Sequence, residues 1–450
     1  MKRLMLDELN RWFDDPQRKP LLICGARQVG KIYLLKEMFA KQFKHAVYID
    51  LMKDDGSREF FSTTCDAGKY LEYIEARFDR KITPSNPLIL DEVQECPMVI
   101  SSLKYFCEDH RELPVIASGS LVRLAIHKMK KDKNLSFPVG KVKVMNLYPM
   151  TYEEYLLNRN PALLERIRAA YESHIPMERQ FHELALDRLY EYLSIGGMPE
   201  AVDRFLSTGS YVDASKVVSD VYGNYLADMS LYNVSDETIL KTRNVFHNIF
   251  AQLNKENRNF KIGLIDGGKS NRDYQNAYLW LELARVVHRS RKKEGKVSLP
   301  LTEGETGLFR YYLADEGMFV HQSRLPRSEF MVRDRRNSLA GIFYENYVAD
   351  ELSAKGIELY YWTGKSRNEI EFIVQNGSFA VPIDVKKGNG KMNSLEAFRA
   401  SNPRYTAVKI TSGNYGYDEE KDLLTIPLYQ TFLLAEQLSK GESIRPTDEN

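Results

Sequence analysis

Cysteines and long apolar runs are scarce in this chain of 450 residues. The four cysteines lie far apart and form no C-x-x-C pair, which disfavours both a disulfide framework and a zinc site. No run of about 18 uncharged apolar residues occurs, so no membrane span is expected. The first residues, MKRLMLDELNRWFDD, are charged throughout and lack the apolar core of a signal peptide. These absences predict a cytoplasmic protein with no membrane partner.

The overall composition is that of a globular protein with more than one domain. Hydrophobic residues make up 43% of the chain and charged residues 28%. The length favours two or three domains over a single core. A net charge of +1 gives no general attraction to nucleic acid, so any basic binding surface has to be local.

Residues 1–150 alternate short apolar runs with helical patterns. The runs are LLICG (21–25), AVYIDL (46–51), PLILDEV (87–93), PVIASGS (114–120) and KVKVMNLYPM (141–150). This alternation predicts an α/β fold with a doubly wound parallel sheet, in which ligands bind at the carboxyl ends of the strands.

The rest of the chain changes its pattern twice. Residues 151–232 have a helical pattern and predict a lid, and residues 233–330 show three helices followed by a strand pair. That order is typical of a winged helix, although a plain helical linker has the same pattern. Residues 331–437 return to mixed helices and strands and predict a second α/β domain. Residues 438–450 are polar and predict a disordered tail.

The stretch GARQVGK follows the first predicted strand and precedes a helix. Gly25, Gly30 and Lys31 have the G-x-x-x-x-G-K spacing of a phosphate-binding loop. Gly25 allows the turn, Gly30 lets the backbone approach the phosphates, and Lys31 supplies a positive charge. Backbone amides at a helix start attract anions, so the whole loop is a candidate cradle for phosphate, with the further residues Ala26, Arg27, Gln28, Val29 and Ile32.

Two downstream strands end in polar residues that suit the same chemistry. Asp91 and Glu92 follow the apolar run LIL, where Asp91 would hold Mg²⁺ through water and Glu92 would orient the attacking water. An acidic loop that caps a helix is the alternative interpretation. Ser118 and Ser120 end the next strand and are candidates to contact the γ-phosphate or the water; a strand-to-helix turn explains them equally well.

The last domain carries a second group of charged residues. Glu345 lies on a predicted helix, Glu371 on a strand beside Glu369, and Asp384 with Lys386 on the next strand. Carboxylates on two adjacent strands can bind a divalent metal ion, and the lysine would then stand beside the attacking water of a phosphodiester hydrolysis. A charged, solvent-facing sheet edge is the alternative.

Several of these stretches together resemble one prokaryotic family of P-loop ATPases of the AAA+ type. They are GARQVGK, LILDEVQECP, ASGS, FPVGKVKVMNLYPMTYEEYL and YLSIGGMPEAV. In that family a helical and winged-helix region follows the ATPase domain, and a C-terminal domain related to PD-(D/E)XK nucleases comes last. The resemblance implies ATP and Mg²⁺ as cofactors and a site shaped by Arg27 and Gln28. It also implies a contact of Lys141 with phosphate, in its own or a neighbouring subunit, and allows a homo-oligomer.

The resemblance also gives the acidic group of the last domain a role. The spacing from Glu371 to Asp384 and Lys386 is similar to the D-x(n)-(D/E)-x-K pattern of the nuclease superfamily, with Glu in place of the usual first Asp. It implies Glu345, Glu371 and Asp384 as metal ligands and Glu371, Asp384 and Lys386 as catalytic residues. DNA docking without cleavage and recognition of a partner remain alternative roles.

Ile32 departs from the pattern. A hydroxyl group at this position normally binds Mg²⁺, and an isoleucine side chain offers no oxygen. We therefore expect nucleotide binding with slow turnover.

Three basic runs are candidates for contact with DNA: HKMKKDK (127–133), HRSRKKEGK (288–296) and RLPRSEFMVRDRR (324–336). Solvated loops are the alternative for each run. Two hypotheses follow: an ATPase that acts on DNA through a nuclease-like domain, and a signalling or scaffold protein that holds ATP as a slowly exchanged ligand.

Overall fold

A computed structural model describes residues 1–129, 135–231, 235–302, 307–325, 340–364, 368–386 and 393–446. The run 127–133 lies outside these ranges from residue 130 onward, and the run 324–336 from residue 326 onward. The chain divides into two compact units. The first comprises Lys2–Pro149 with Leu283–Arg285, and the second comprises Met1, Met150–Glu282 and Val286–Asn450.

A five-stranded parallel sheet forms the centre of the first unit. Its strands are β1 (Leu21–Cys24), β2 (Val47–Asp50), β3 (Leu88–Asp91), β4 (Val115–Gly119) and β5 (Lys143–Asn146), in the order β2-β3-β4-β1-β5. Every residue of β1, β3 and β4 is buried, as their uninterrupted apolar runs require when helices cover both faces. The parallel α/β sheet predicted from the sequence is confirmed.

The helices of the first unit begin at recognisable capping residues. The side chain of Asp54 accepts a hydrogen bond from the Ser57 amide, and Asp66 caps the next helix in the same way. The helices are α1 (Met5–Asp14), a π-helical segment (Tyr33–Phe39), α2 (Asp55–Ser62), α3 (Ala67–Phe78), α4 (Pro97–Asp109) and α5 (Val122–Met129), with short 3-10 turns at Ala40–Gln42 and Val93–Glu95.

The second unit begins with helices. Thr151 forms a capping box with Glu154 at the start of the first of them, and Gly196 ends the third. They are α6 (Tyr152–Arg159), α7 (Pro161–Glu172), α8 (Arg179–Ile195), α9 (Pro199–Thr208), α10 (Tyr211–Leu231), α11 (Asp236–His247), α12 (Ile249–Leu253) and α13 (Gln275–Leu283). Short 3-10 turns lie at Ile262–Leu264 and Asn271–Tyr274.

An eight-stranded mixed sheet completes the second unit. Its strands are β6 (Val287–Glu294), β7 (Phe309–Leu313), β8 (Leu359–Thr363), β9 (Glu369–Asn376), β10 (Phe379–Val385), β11 (Ala407–Thr411), β12 (Gly416–Asp418) and β13 (Leu423–Pro427), in the order β12-β13-β11-β10-β9-β8-β6-β7. The remaining helices are α14 (Glu316–Ser323), α15 (Ala340–Ala354), α16 (Asn393–Ser401) and α17 (Thr431–Ser439), with a 3-10 turn at Leu428–Gln430.

The strand pair expected in a winged helix belongs to this large sheet. β6 and β7 pair antiparallel, and β6 also pairs parallel with β8, with Ser290 opposite Leu359. Strands from both sides of the predicted boundary at residue 330 therefore share one sheet, and the winged helix stays a prediction. Within the predicted tail, Ile444 is buried and the Glu442 carbonyl accepts a hydrogen bond of 2.8 Å from Asn376.

Candidate functional site

The loop between β1 and the π-helical segment is tightly enclosed. A Cβ atom on Gly25 would lie 2.4 Å from the carbonyl oxygen of Leu147, so only glycine fits there. Gly30 has φ of 91°, a left-handed conformation that glycine adopts without strain. The Leu34 amide donates to the Gly30 carbonyl at 2.9 Å and starts the helical turn. Steric constraints thus explain why both of these loop positions are occupied by glycine.

Lys31 is buried at the base of this loop. Its ammonium group donates hydrogen bonds to the carbonyl oxygens of Gly25 at 3.0 Å and Ala26 at 2.7 Å. Burial lowers the pKa of Lys31 to about 8, although the carboxylates of Glu92 and Asp91 oppose that shift. An anion bound in the loop would favour the charged form of the lysine.

A buried arginine from the chain start fixes the far side of the loop. Arg3 donates to the carbonyl oxygens of Val29 and Tyr148, both at 2.8 Å. The charge of Arg3 therefore lies next to the loop backbone, which no loop pattern in the sequence indicates. Among the other predicted loop residues, Ala26 is buried, Arg27 is half-buried, and Gln28 is exposed with φ of 63°.

Asp91 lies at the end of β3 and is completely buried. Its carboxylate accepts hydrogen bonds from the Ser118 hydroxyl, from the Tyr48 hydroxyl and, at 2.9 Å, from the Glu92 amide. Three donors hold this carboxylate in one orientation, and one of them is Ser118, which was named from the sequence as a candidate contact of the γ-phosphate or the attacking water. Tyr48 on β2 was not singled out from the sequence, because the alternating pattern of a strand does not show which residue of a neighbouring strand a side chain contacts.

Glu92 stands beside Asp91 in a left-handed backbone conformation, with φ of 54°. The Gln94 amide group donates to its carboxylate at 2.5 Å, and Gln94 is itself 8% exposed. Glu92 is therefore aimed by a neighbour that sequence reasoning did not single out. A carboxylate held in this way can orient a water molecule for attack on a phosphate. Ser120, the other predicted serine, is buried and directly follows β4.

ATP and Mg²⁺ are the groups that the resemblance implies, and the residues fit them unequally. The loop, Lys31 and Asp91 suit a nucleotide phosphate and a hydrated cation. The side chain of Ile32 is 46% exposed at the position where a metal-binding hydroxyl is expected, and it offers only hydrocarbon. A magnesium ion here would rely on Asp91, water and the phosphates themselves.

Lys141 lies away from the loop within its own chain. Lys141 comes just before β5, and the first residue of β5, Lys143, pairs with the first residue of β1, Leu21. The phosphate loop begins after the last residue of β1, so Lys141 and the loop lie at opposite ends of these parallel strands. The Lys141 ammonium forms an ion pair of 3.0 Å with Glu108. The expected contact with a phosphate of its own subunit is therefore not supported by this placement, and only a contact with a neighbouring subunit stays a prediction.

The four predicted charged residues of the last domain come together. Glu345 projects from α15, Glu371 from β9 and Asp384 from β10, and all three are at most 5% exposed. The Lys386 ammonium lies 2.8 Å from Asp384 and 3.5 Å from Glu371. The Glu371 carboxylate also accepts a hydrogen bond of 3.2 Å from the Val385 amide. Because side chains alternate along a strand with a period of two, Glu371 and Asp384 lie on one face of adjacent strands and both contact Lys386, whereas Glu345 comes from a helix.

Burial sets the protonation of this group. It raises the pKa of Glu345 to about 7, and burial together with the Asp384 carboxylate raises the pKa of Glu371 to about 8. Burial alone would lower the pKa of Lys386, but the carboxylates of Glu371 and Asp384 outweigh it and raise the pKa above its ordinary value. The lysine is therefore a fixed cation between two carboxylates.

Two arginines that belong to no recognised sequence pattern also reach this acidic group. Arg258, from the loop after α12, forms an ion pair with Glu345 and lies 3.9 Å from Glu369. Arg310 on β7 is 1% exposed and pairs with Glu369 at 2.6 Å. A cavity of about 740 Å³ opens beside Arg258, Glu369 and Glu371.

The donor set fits a divalent metal ion only in part. Within the described ranges, no three histidine, cysteine, aspartate or glutamate side chains are grouped so that they could hold a metal ion. Oδ1 of Asp384 lies 2.8 Å from the Lys386 ammonium, whereas Oδ2 has no hydrogen-bond partner among those residues, so this side chain keeps one oxygen for a cation. Glu345, in contrast, is already held by Arg258.

The second basic run is strand rather than loop. Residues 287–294 form β6, and Arg289 on this strand pairs with Glu282 at 3.2 Å and lies over the ring of Phe309. The predicted recognition helix is α13, where Tyr278 and Trp280 are buried, as expected for core residues.

None of the helices in the part of the chain that the structure describes has the length and apolar character of a membrane span.

Comparison with known proteins assigns families to parts of the chain. Residues 17–156 match a family described as AAA domain. Residues 186–329 and 340–429 match two families, each described as a domain of unknown function (DUF8612 and DUF4143). No curated protein matches the chain.

The solved structures similar to this chain include three proteins. A Walker-type ATPase of Pyrococcus abyssi shares 15% identity, with 70% of this chain and 95% of that one covered and a TM-score of 0.42. The ORC1 protein of Aeropyrum pernix, solved in complex with DNA, shares 14%, with coverage of 73% and 93% and a TM-score of 0.29. A signal-transduction ATPase of Pyrococcus horikoshii with a tetratricopeptide repeat sensor shares 15%, with coverage of 79% and 47% and a TM-score of 0.26.

At these identities and TM-scores the similarities to solved structures carry no argument about this chain. The match to the AAA domain family, by contrast, includes the whole phosphate loop and both strands that carry Asp91 and Ser118. The parallel sheet has the arrangement of a P-loop fold, with the loop following its second-to-last strand in spatial order. Residues 17–156 therefore match the AAA domain family and have the parallel sheet and phosphate loop of a P-loop ATPase fold.

Proposed function

We propose that this chain binds ATP with Mg²⁺ and hydrolyses it slowly. The observation that carries the proposal is the contrast between two adjacent residues. Lys31 is buried within hydrogen-bond distance of the loop carbonyls, whereas Ile32 presents hydrocarbon where a metal ligand is needed. The loop amides and Lys31 bind the phosphates regardless of residue 32, and the missing oxygen weakens metal binding.

The roles of the residues follow from their contacts. Mg²⁺, when bound, neutralises charge on the phosphates. Asp91 is held by Ser118 and Tyr48 and accepts the hydrogen bonds of the ion's water shell. Glu92, aimed by Gln94, accepts a proton from the attacking water, and Lys31 stabilises the charge that develops on the transferred phosphoryl group.

Binding and turnover should be measured separately. We expect the full chain to bind a fluorescent ATP analogue and Lys31→Ala to abolish that binding. Lys44→Ala, which removes an exposed lysine of the same domain, should leave binding unchanged. Equal binding by the Lys31→Ala and Lys44→Ala proteins would overturn the proposal.

A second function is proposed for the last domain: metal-dependent cleavage of DNA at a nuclease-like site. Its support is that α15, β9 and β10 bring Glu345, Glu371, Asp384 and Lys386 within one site beside a large cavity. The test is incubation of labelled DNA and RNA with Mg²⁺ or Mn²⁺. Cleavage should be lost in Asp384→Ala and kept in Asp418→Ala, which removes an exposed carboxylate paired with Lys421. No cleavage by the natural chain, or equal cleavage by both variants, would refute the activity.

A signalling or scaffold role is the competing proposal. It is favoured by the protein cations that already hold the acidic group, since a site neutralised by the protein itself does not require a metal ion. ATP hydrolysis measured with and without DNA separates the two. Stimulation by DNA supports a DNA-acting ATPase, and tight binding of ATP without turnover supports the scaffold role.

A further inference from the structure

The acidic group of the last domain is balanced by cations of the protein. Four carboxylates, those of Glu345, Glu369, Glu371 and Asp384, lie among three cationic side chains, those of Arg258, Arg310 and Lys386. Buried carboxylates need such partners because an uncompensated charge in the interior is strongly destabilising. The partners are not equivalent: Arg258 pairs with Glu345, Arg310 pairs most closely with Glu369, and Lys386 lies between Asp384 and Glu371.

Arg258 differs from the other two cations in how it is held. Arg310 lies on β7 with its side chain 1% exposed, and Lys386 follows directly on β10. Arg258 belongs to the loop between Leu253 and Ile262, and its side chain is 24% exposed at the wall of the cavity of about 740 Å³. Arg258 and Lys386, whose side chain is 25% exposed, are therefore the two cations that solvent reaches, and of these two Arg258 is the one that pairs with Glu345.

Arg258 occupies Glu345, the third carboxylate that a metal site with Asp384 and Glu371 would need. Asp384 keeps an oxygen without a hydrogen-bond partner among the described residues, and Glu371 lies against the same Lys386. Glu345 comes from the other element, α15, and its carboxylate bonds to the Arg258 guanidinium. A guanidinium group fixes a carboxylate through directed N–H bonds and repels a second cation at the same place.

We propose that Arg258 is an inhibitory cation that occupies Glu345 and keeps a divalent metal ion out of the acidic site. The inference rests on the proposed metal-dependent function of this domain. Displacement of Arg258 frees the Glu345 carboxylate, which then joins Asp384 and Glu371 as an oxygen donor. The metal site is thus assembled only when the loop that carries Arg258 gives way.

The test is a titration of the full chain, free of nucleotide, with Mn²⁺ alone, followed by electron paramagnetic resonance of the unbound ion. Arg258→Gln should bind one more Mn²⁺ than the natural chain, or bind it at least about tenfold more tightly. Adding Asp384→Asn to Arg258→Gln should remove that gain, which places the ion at this site and not at the P-loop. Arg258→Lys, which keeps the positive charge, should behave as the natural chain does.

Lys255→Gln is the matched control, because it removes the same charge from the same loop at the wall of the same cavity. If its Mn²⁺ binding rises as much as that of Arg258→Gln, loss of charge in general explains the gain and the proposal is wrong. If the natural chain already binds Mn²⁺ as tightly as Arg258→Gln at the Asp384 site, the inhibition is refuted while the metal site stands. If neither protein binds the ion there, the metal site itself fails and the inhibition with it.

Discussion

The hydroxyl group of Tyr48 on β2 donates a hydrogen bond to the carboxylate of Asp91 at the end of the neighbouring strand β3. Burial and the Asp91 carboxylate both raise the pKa of Tyr48, so its hydroxyl keeps its proton and remains a donor. With the Ser118 hydroxyl on the other side, this contact fixes the carboxylate that the nucleotide site depends on.

Tyr48→Phe should destabilise the first unit, because Asp91 loses one of its donors while it remains buried. A hydrogen bond to a charged group contributes about 1.5 kcal/mol. The change in local unfolding free energy can be measured by hydrogen exchange of peptides from residues 2–149 in increasing urea. Tyr73→Phe is the control, since the Tyr73 ring stacks on Phe60 in the same unit. Equal exchange rates in the two variants would show that the Tyr48 contact does not stabilise the domain.

The lowered pKa of Lys31 predicts that ATP binding takes up a proton in alkaline solution. The empty loop has a Lys31 pKa of about 8, and bound phosphate restores the charged form. Below that pH the lysine already carries its proton and contributes no uptake; well above it, binding must add one. Affinity for ATP should therefore fall by up to about tenfold for each pH unit above the Lys31 pKa.

Titration calorimetry at alkaline pH in buffers of different ionisation enthalpy measures this uptake. A value near one proton per ATP agrees with the prediction, and a value near zero contradicts it.

The same lowered pKa means that the unfolded chain binds the proton more tightly than the folded one. The contribution of Lys31 to the free energy of unfolding should therefore increase as the pH rises above the folded-state Lys31 pKa of about 8.

Gly25→Ala should abolish nucleotide binding through a steric clash. The added methyl group would lie 2.4 Å from the Leu147 carbonyl oxygen and 3.2 Å from a methyl carbon of Val29, so the loop has to shift. Gly223→Ala on α10 meets no atom within 4 Å and should leave both binding and stability nearly unchanged. The measurement is affinity for a fluorescent ATP analogue; equal affinity in the two variants would contradict the enclosed loop.

Arg310→Met should strongly destabilise the second unit. Arg310 is buried, pairs with Glu369 at 2.6 Å and lies 4.0 Å over the ring of Tyr361. Removing Arg310 should cost about 2 kcal/mol, because Glu369, whose side chain is 29% exposed, loses its close charged partner and keeps only Arg258 at 3.9 Å. Arg179→Met, which breaks an exposed pair with Glu183, should change stability little. Hydrogen exchange of peptides from β7 to β9 reports the difference, and equal protection in both variants would refute the prediction.

Local patterns in the sequence were enough for the parallel sheet and for most of the nucleotide loop. The apolar runs at 21–24, 88–90 and 115–117 lie in β1, β3 and β4, whose residues are all buried. The spacing of Gly25, Gly30 and Lys31 depends on local geometry alone and is visible in a few letters. Likewise, strand alternation put Glu371 and Asp384 on the same face of neighbouring strands.

Contacts between residues distant in sequence could not be predicted in this way. Arg3 reaches the loop from the chain start, and Arg258 reaches Glu345 across many residues, yet neither belongs to a recognisable pattern. The hairpin β6–β7 has the local sequence of a small independent motif, and only its pairing with β8 makes it part of the large sheet. Such pairings depend on the tertiary fold rather than on local preference.

The most direct test of the central claim is the rate of ATP hydrolysis by Ile32→Thr. The hydroxyl group restores a magnesium ligand, so we predict that kcat rises at least about tenfold, or ~1.4 kcal/mol in the barrier, while ATP affinity without Mg²⁺ stays within about twofold. Ile32→Val is the matched control, because valine has the shape of threonine without its oxygen, and its kcat should equal that of the natural chain. A kcat that is the same for the natural chain, Ile32→Val and Ile32→Thr would contradict the account.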